Sequence, residues 1–148
     1  MIYLASDHRG FKLKALIKEW LGEWGMEYED NGPMQYDPED DYPDYIRKAT
    51  EKVAVDPAMH RAIVLGATGQ GEAIVANRHQ GIRAVVYYGG TTDIVTMSRE
   101  HNDANILSLG AAFLENDEVK IAIKLWLDTP FSNAERHVRR IAKIDNGQ

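Results

Sequence analysis

Residues 62–72 read Ala62-Ile63-Val64-Leu65-Gly66-Ala67-Thr68-Gly69-Gln70-Gly71-Glu72. Four apolar residues without polar alternation mark a strand buried on both faces. The glycine-rich run that follows turns the chain, and a helix is expected over residues 72–78. A buried strand that passes through a glycine turn into a helix is half of a strand–helix–strand unit. Working outward, the same unit recurs. Strands are expected at 2–5, 27–30, 83–88 and 106–109, and helices at 11–24, 43–55, 93–101, 118–127 and 133–144. Phe11, Leu13, Leu16, Ile17, Trp20 and Leu21 fall at helical spacing. Pro43 suits the first turn of its helix, and residues 31–42, with two prolines and several acids, read as a loop. Such alternation predicts an α/β fold: a three-layer, Rossmann-like, five-stranded parallel sheet with helices on both faces and an extended C-terminal helix.

The 148 residues are 44% hydrophobic and 27% charged, which fits one domain over 1–148 with its own core. Seventeen Lys and Arg against twenty-three Asp and Glu give a formal net charge of -6, the wrong balance for a nucleic-acid protein. The absence of cysteine excludes disulfides, thiolate metal sites and cysteine nucleophiles, and points to a reducing, cytoplasmic location. No apolar run reaches the ~18 residues of a membrane span, and residues 1–10 lack the basic-then-apolar pattern of a signal peptide.

In parallel sheets ligands sit beyond the carboxyl ends of the strands, near the point where strand order reverses. That rule selects Asp7-His8-Arg9, the turn from Gly66 to Gly71, Tyr88-Gly89-Gly90, and Gly110. The glycine turn lets the backbone approach an anion and offers free N–H donors at a helix start. It lacks the third glycine of a dinucleotide fingerprint and the lysine of a P-loop. Taken alone it is equally a tight connection, and Asp7 is equally an N-cap. Arg136, His137 and Arg140 share adjoining turns of one helix, where two guanidiniums can clamp a phosphate; a solvated basic face is the plainer alternative. His101 at a helix end is equally a partner for the dipole. The acids Glu39, Asp40, Asp41 and Asp44 lack the ligand spacing of a calcium loop and read as a solvated loop without a metal.

Taken in order, Ser6-Asp7-His8-x-Gly10, Asp41-Tyr42-Pro43, Thr68-Gly69-x-Gly71, Ala76-Asn77, Gly81-Ile82-Arg83-Ala84, Arg99-x-His101-Asn102-Asp103-x-Asn105, Gly110 and Arg136-His137-x-x-Arg140 span nearly the whole chain. This set resembles the type B ribose-5-phosphate isomerase family, which also holds the subunits of galactose-6-phosphate isomerase. The resemblance implies interconversion of an aldose phosphate and its ketose through a cis-enediolate, without metal or other cofactor. It implies that His101 or His137 assists ring opening, and that Asp7, His8 and Asn102 line the sugar site. Thr68 with the backbone of Gly69, Gln70 and Gly71 would form the anion hole, while Arg136 and Arg140 would hold the phosphate. It also implies a homodimer or dimer of dimers in which each site draws on two subunits.

Two positions depart from that pattern. The family usually places a cysteine, sometimes a serine, as the C2 base at the end of the third strand; here it is Gly66. An arginine expected after Gly110 is replaced by Ala111-Ala112. Glu72 is the candidate replacement base, pointing either into the site or along the helix as a first-turn acid matched to the dipole. The other readings are a different substrate, or a protein that binds sugar phosphates without turnover or completes a hetero-oligomeric isomerase.

Overall fold

A computed structural model describes residues 1–146. Five strands, Ile2–Ser6 (β1), Tyr28–Asp30 (β2), Arg61–Gly66 (β3), Ala84–Tyr87 (β4) and Ile106–Gly110 (β5), form one parallel sheet in the order β2-β1-β3-β5-β4. The helices are Phe11–Glu23 (α1), Tyr42–Val55 (α2), Gln70–Ala76 (α3), Asp93–Asn102 (α4), Asn116–Asp128 (α5) and Glu135–Asn146 (α6). None is long and apolar enough to cross a membrane.

The two-residue period of a strand divides the core into two layers. Leu4, Ile63, Leu65, Leu107 and Leu109 point to one face, where α1 and α5 cover them with Leu13, Ile17, Val119, Ile123 and Trp126. Tyr3, Ala5, Ala62, Val64 and Ile106 point to the other, under Ile46, Ala49 and Val53 of α2 and Ala76 of α3. Each fully buried large side chain contributes about 1.5–3 kcal/mol. Trp126 is entirely buried. The guanidiniums of Arg61 and Arg99 lie 5.6 and 5.9 Å from its ring.

The predicted elements are all present, with shifts at their ends. Arg83 does not join β4, because its N–H donates to the Asn105 side chain at 2.8 Å. Helix α3 starts two residues earlier than expected. Gly69, at φ +74°, takes the left-handed turn, so the helical path begins at Gln70 and Glu72 becomes its third residue. Helix α6 begins at Glu135, after Asn133 at φ 54°. It packs against α4, and His137 is its buried residue.

Candidate active site

The sheet order reverses between β1 and β3: from β1 the chain steps to β2 on one side, then to β3 on the other. The carboxyl ends of these two strands carry the first group of candidate residues. Asp7, just past β1, is buried. Its Oδ1 accepts the N–H groups of Arg9 at 2.8 Å and Gly10 at 3.1 Å. That turn is close enough to β3 that a methyl on Gly10 would lie 2.6 Å from Leu65 Cβ. His8 donates its backbone N–H to Asp40 Oδ1 at 3.1 Å and pairs with the same oxygen through Nδ1 at 2.7 Å.

Asp40 therefore corrects the sequence reading of that loop. Its side chain is only 2% exposed, held inward by a residue 32 positions away. Asp7, His8 and Asp40 bring oxygen and nitrogen atoms within 4.8 Å of one another. His8 Nδ1 is already engaged by Asp40, and one Asp7 oxygen by backbone N–H groups. The cluster is knit by its own hydrogen bonds.

Beyond β3, the turn is fixed from several sides. Ala111 and Ala112 donate to the carbonyls of Gly66 and Ala67 at 2.9 and 3.0 Å. Ser108 Oγ donates to the Gly69 carbonyl at 2.6 Å. Thr68 Oγ1 accepts the Gln70 N–H at 3.3 Å. Gly71 is pressed against Tyr42, whose hydroxyl would lie 2.7 Å from a methyl placed there. Tyr42 sits beside Asp40 in sequence, so one short segment supports both His8 and the glycine turn. Sequence reading assigned neither residue a role; the requirement for glycine at 71 was the available signal for Tyr42.

Glu72 resolves the choice left open by the sequence. It is buried, and its carboxylate lies over the Cα of Gly66. A methyl group on Gly66 would fall 1.8 Å from Oε1 and 2.3 Å from Cδ. The carboxylate thus occupies the space into which a side chain at position 66 would grow. Desolvation pushes its pKa above the ordinary carboxylate value, the nearby charge of Asp7 adds to the rise, and its own backbone N–H opposes it.

The remaining candidates lie elsewhere. Helix α4 carries the chain from the carboxyl end of β4 back to the amino end of β5, which puts His101 and Asn102 at the opposite edge of the sheet. Arg83, which precedes β4, donates from Nε to the Asn102 carbonyl at 2.9 Å. Asp103, at φ 46°, accepts from Arg99 and Arg83 at 2.8 and 2.9 Å and locks that corner. His137 of α6 stacks on His101 with ring centroids 4.5 Å apart and planes 13° from parallel. Arg136 Nε approaches His137 Nε2 at 3.3 Å. A cavity of about 310 Å³ is bounded by His101, Asn102, His137 and Arg140, with Ile141 and Ile144. The His137 pKa is lowered by desolvation first, then by His101, Arg136 and Arg140.

One chain therefore assembles two partial sites. Asp7, His8, Thr68, Gly69, Gln70, Gly71 and Glu72 gather at the carboxyl end of the sheet. His101, Asn102, Arg136, His137 and Arg140 gather near the amino end. The first group holds a desolvated carboxylate beside a glycine turn, suited to proton abstraction next to an oxyanion. The second holds imidazoles and guanidiniums, suited to an anion.

The family model for ribose/galactose isomerases matches residues 2–144. The chain is 37% identical over 140 residues to ribose-5-phosphate isomerase B of Mycobacterium tuberculosis, across 95% of this chain and 85% of that protein. The crystal structure of ribose-5-phosphate isomerase B from Mycoplasma genitalium with bound ribulose-5-phosphate matches with a TM-score of 0.94 at 32% identity, covering 99% of this chain and 94% of that one. The enzyme from Clostridium thermocellum matches with a TM-score of 0.90 at 39% identity, covering 98% and 95%. Sequence and fold agree over almost the full length, and the chain belongs to the ribose/galactose isomerase family as a homologue of the type B ribose-5-phosphate isomerases.

Proposed function

We propose that this protein interconverts an aldose phosphate and its ketose, of the ribose-5-phosphate/ribulose-5-phosphate type, with Glu72 as the C2 base. One observation carries the reading: the Glu72 carboxylate fills the volume above Gly66 where a side chain at the strand end would stand. Glycine at 66 and glutamate at 72 are two halves of one arrangement, which delivers a base to the strand end from the helix rather than from the strand. Burial raises the carboxylate's proton affinity toward the range in which a general base works well.

Glu72 takes the C2 proton, leaving an enediolate whose oxygen faces Thr68 and the N–H groups of the glycine turn, and returns the proton to C1. Each preorganised donor of this kind is worth about 2.7–4 kcal/mol where acyl-transfer oxyanion holes are a guide. Arg136 and Arg140 hold the phosphate, and its binding energy positions the reacting end. Because these arginines lie at the far edge of the sheet from Glu72, they come to the site from a second copy of the chain, as a homodimer or dimer of dimers. Charge supports this pairing. Helix α6 carries Arg136, Arg139, Arg140 and Lys143, and the loop beside His8 carries Asp37, Glu39 and Asp41. The bound ketose phosphate of the Mycoplasma genitalium relative supports the substrate class.

The test is a proton-exchange NMR assay in D2O with pentose and hexose phosphates. Deuterium entering C1 or C2, abolished in Glu72→Gln, is the expected result. Binding of a sugar phosphate without any exchange would instead favour a non-catalytic binding protein or a partner subunit. A monomer by analytical ultracentrifugation at micromolar concentration with full activity would overturn the two-copy site.

A further inference from the structure

Helix α6 carries two arginines on a narrow footing. It packs on α4, and little apolar surface secures it there. Val138 and Ile144 stay 47% and 58% exposed, and His137 is the helix's only buried side chain among the described residues. The linker before the helix is tied down separately: Ser132 N–H donates to the Glu100 carbonyl at 3.2 Å. Asn133, at φ 54°, then turns the chain into the helix. At the far end the Asp145 carboxylate accepts the Gly81 N–H at 2.9 Å. An element with so few buried apolar contacts opens at a low free energy, so one side chain can decide whether it stays docked.

His137 is that side chain. Its ring stacks on His101 of α4, and Arg136 Nε lies 3.3 Å from its Nε2. A guanidinium only donates, so this contact needs the Nε2 lone pair of a neutral ring, with the ring hydrogen on Nδ1. A proton added at Nε2 sets N–H against N–H and a cation beside a cation. The other groups facing the ring do not absorb that charge. Arg140 of α6, with His101 and Asn102 of α4, bounds the cavity beside it. Asp103, just beyond α4, is held by Arg99 and Arg83. Glu100 and Glu135 are exposed, and no carboxylate pairs with His101 or His137 among the described residues. In the two-copy reading, Asp37, Glu39 and Asp41 of the second chain meet the exposed basic residues of α6. Desolvation first, then His101, Arg136 and Arg140, lowers the His137 pKa, in keeping with a ring that stays neutral while it is docked.

We propose that α6 is a proton-sensitive latch: neutral His137 holds the helix against α4, and a proton on that ring releases it, hinging at Asn133 and carrying Arg136 and Arg140 out of place. The consequence for turnover rests on the isomerase reading; the release itself does not. The released ring has its ordinary pKa of 6.5 and the docked ring a lower one. Docking is therefore fully favoured above 6.5 and weakens as pH falls toward the docked pKa. While opening takes up one proton, the open fraction rises by up to about tenfold per pH unit.

The test is amide hydrogen exchange, read by mass spectrometry on the full chain without substrate, at about pH 7.5 and about pH 5.5 and one protein concentration, with protection corrected for the intrinsic amide rate. Wild-type α6 is expected to lose protection by up to about tenfold at the lower pH, while α5 keeps its own. His137→Phe retains an aromatic ring for stacking and cannot titrate, so its α6 protection is expected to be the same at both pH values. That variant can seat the helix differently, and 15N NMR of His137 in the wild type gives a second measure. The ring should show a single N–H at Nδ1 at the higher pH and gain the second over the range in which α6 loses protection. Equal α6 protection at both pH values in the wild type would overturn the latch. A loss shared equally by α5 would make the event general unfolding, and an equal loss in His137→Phe would put the titrating group elsewhere; either result overturns the proposal. A wild type that releases α6 but exchanges no sugar-phosphate protons at neutral pH would keep the latch and remove the isomerase reading.

Discussion

The two edges of the sheet are built in different ways. At the carboxyl edge, the chain finishes its own arrangement: Glu72 is buried over Gly66, Asp7 is tied down by backbone N–H groups, and His8 is tied to Asp40. At the amino edge, His101 and His137 stack beside an open cavity, and Arg136 and Arg140 are exposed on a helix that touches little besides α4. In the proposed reaction the first edge would be a reaction centre lacking a phosphate anchor, and the second an anchor lacking a reaction centre. Their separation on one chain would make assembly part of the chemistry, since each edge would supply what the other lacks.

The largest effect should come from breaking the first edge. Glu72→Gln keeps shape and loses the basic lone pair, so isomerisation should fall roughly 100- to 10,000-fold, the usual range for a general base. Sugar-phosphate affinity, read by calorimetry, should stay nearly unchanged. In the wild type the rate should fall as pH drops through the raised pKa of Glu72, because the base must be ionised. Joining the edges gives a sharper test. Glu72→Gln and Arg140→Ala homodimers, each impaired, should recover about a quarter of wild-type activity when mixed and re-equilibrated, because half the dimers then hold one intact site of two. No recovery on subunit exchange would place both residues in the same half of the site.

Gly66→Cys tests the other side of the same contact. The new Cβ would stand 1.8 Å from Glu72 Oε1, and the flexible carboxylate, rather than the backbone, must give way. The single variant should therefore lose the Glu72 base from its position. Gly66→Cys combined with Glu72→Val removes the conflict and should exchange C2 protons faster than Glu72→Val alone. Equal rates in those two proteins would show that the site accepts a base only from the helix.

At the second edge the expected losses are smaller. Arg136→Ala and Arg140→Ala each remove a charge-assisted contact of roughly 1.5–3 kcal/mol, or about 10- to 150-fold in phosphate affinity. Calorimetric titration with ribose 5-phosphate reads this directly. Unchanged affinity in both variants would put the phosphate elsewhere.

The same contrast explains what was legible in the sequence. The strands and the helices between them were carried by local signals, such as the apolar run 62–65 and the glycines after it, so the fold class and the strand ends could be read directly. The direction of Glu72 could not. Each residue advances a helix by about 100°, so starting α3 at Gln70 rather than Glu72 turns that side chain to another face. Asp40 was misread because its partner lies 32 residues away, and an acid in an acidic loop looks solvated until the fold brings His8 to it. His101 and His137 were legible as candidates from their spacing and the family resemblance. His101 sits at the far edge because α4 returns from the carboxyl end of β4 to the amino end of the parallel β5, and His137 joins it only through the packing of α6 on α4, a contact with no local signature.

The smallest effect concerns stability, and here the two edges should respond to pH in opposite senses. Glu72 has a folded pKa above the ordinary value of 4.5, owing first to desolvation. Below that value it is protonated in both states, and its contribution to stability is fully present. As pH rises, the unfolded chain ionises first, so the contribution declines until the folded pKa is passed. His137 has a folded pKa below its ordinary 6.5, again owing first to desolvation, with His101, Arg136 and Arg140 adding to it. Its contribution is fully present above 6.5 and declines as pH falls through the folded pKa. Glu72→Gln should therefore gain melting temperature over wild type as pH rises from 4.5, while His137→Asn should gain relative to wild type as pH falls below 6.5. For Glu72, in a chain of this size, each kcal/mol corresponds to roughly 2–4 °C, within reach of calorimetric scans at fixed protein concentration. Melting curves for Glu72→Gln that track the wild type at every pH would mean that the carboxylate is as well solvated in the folded protein as in the unfolded chain, and the case for Glu72 as a tuned base would fall with it.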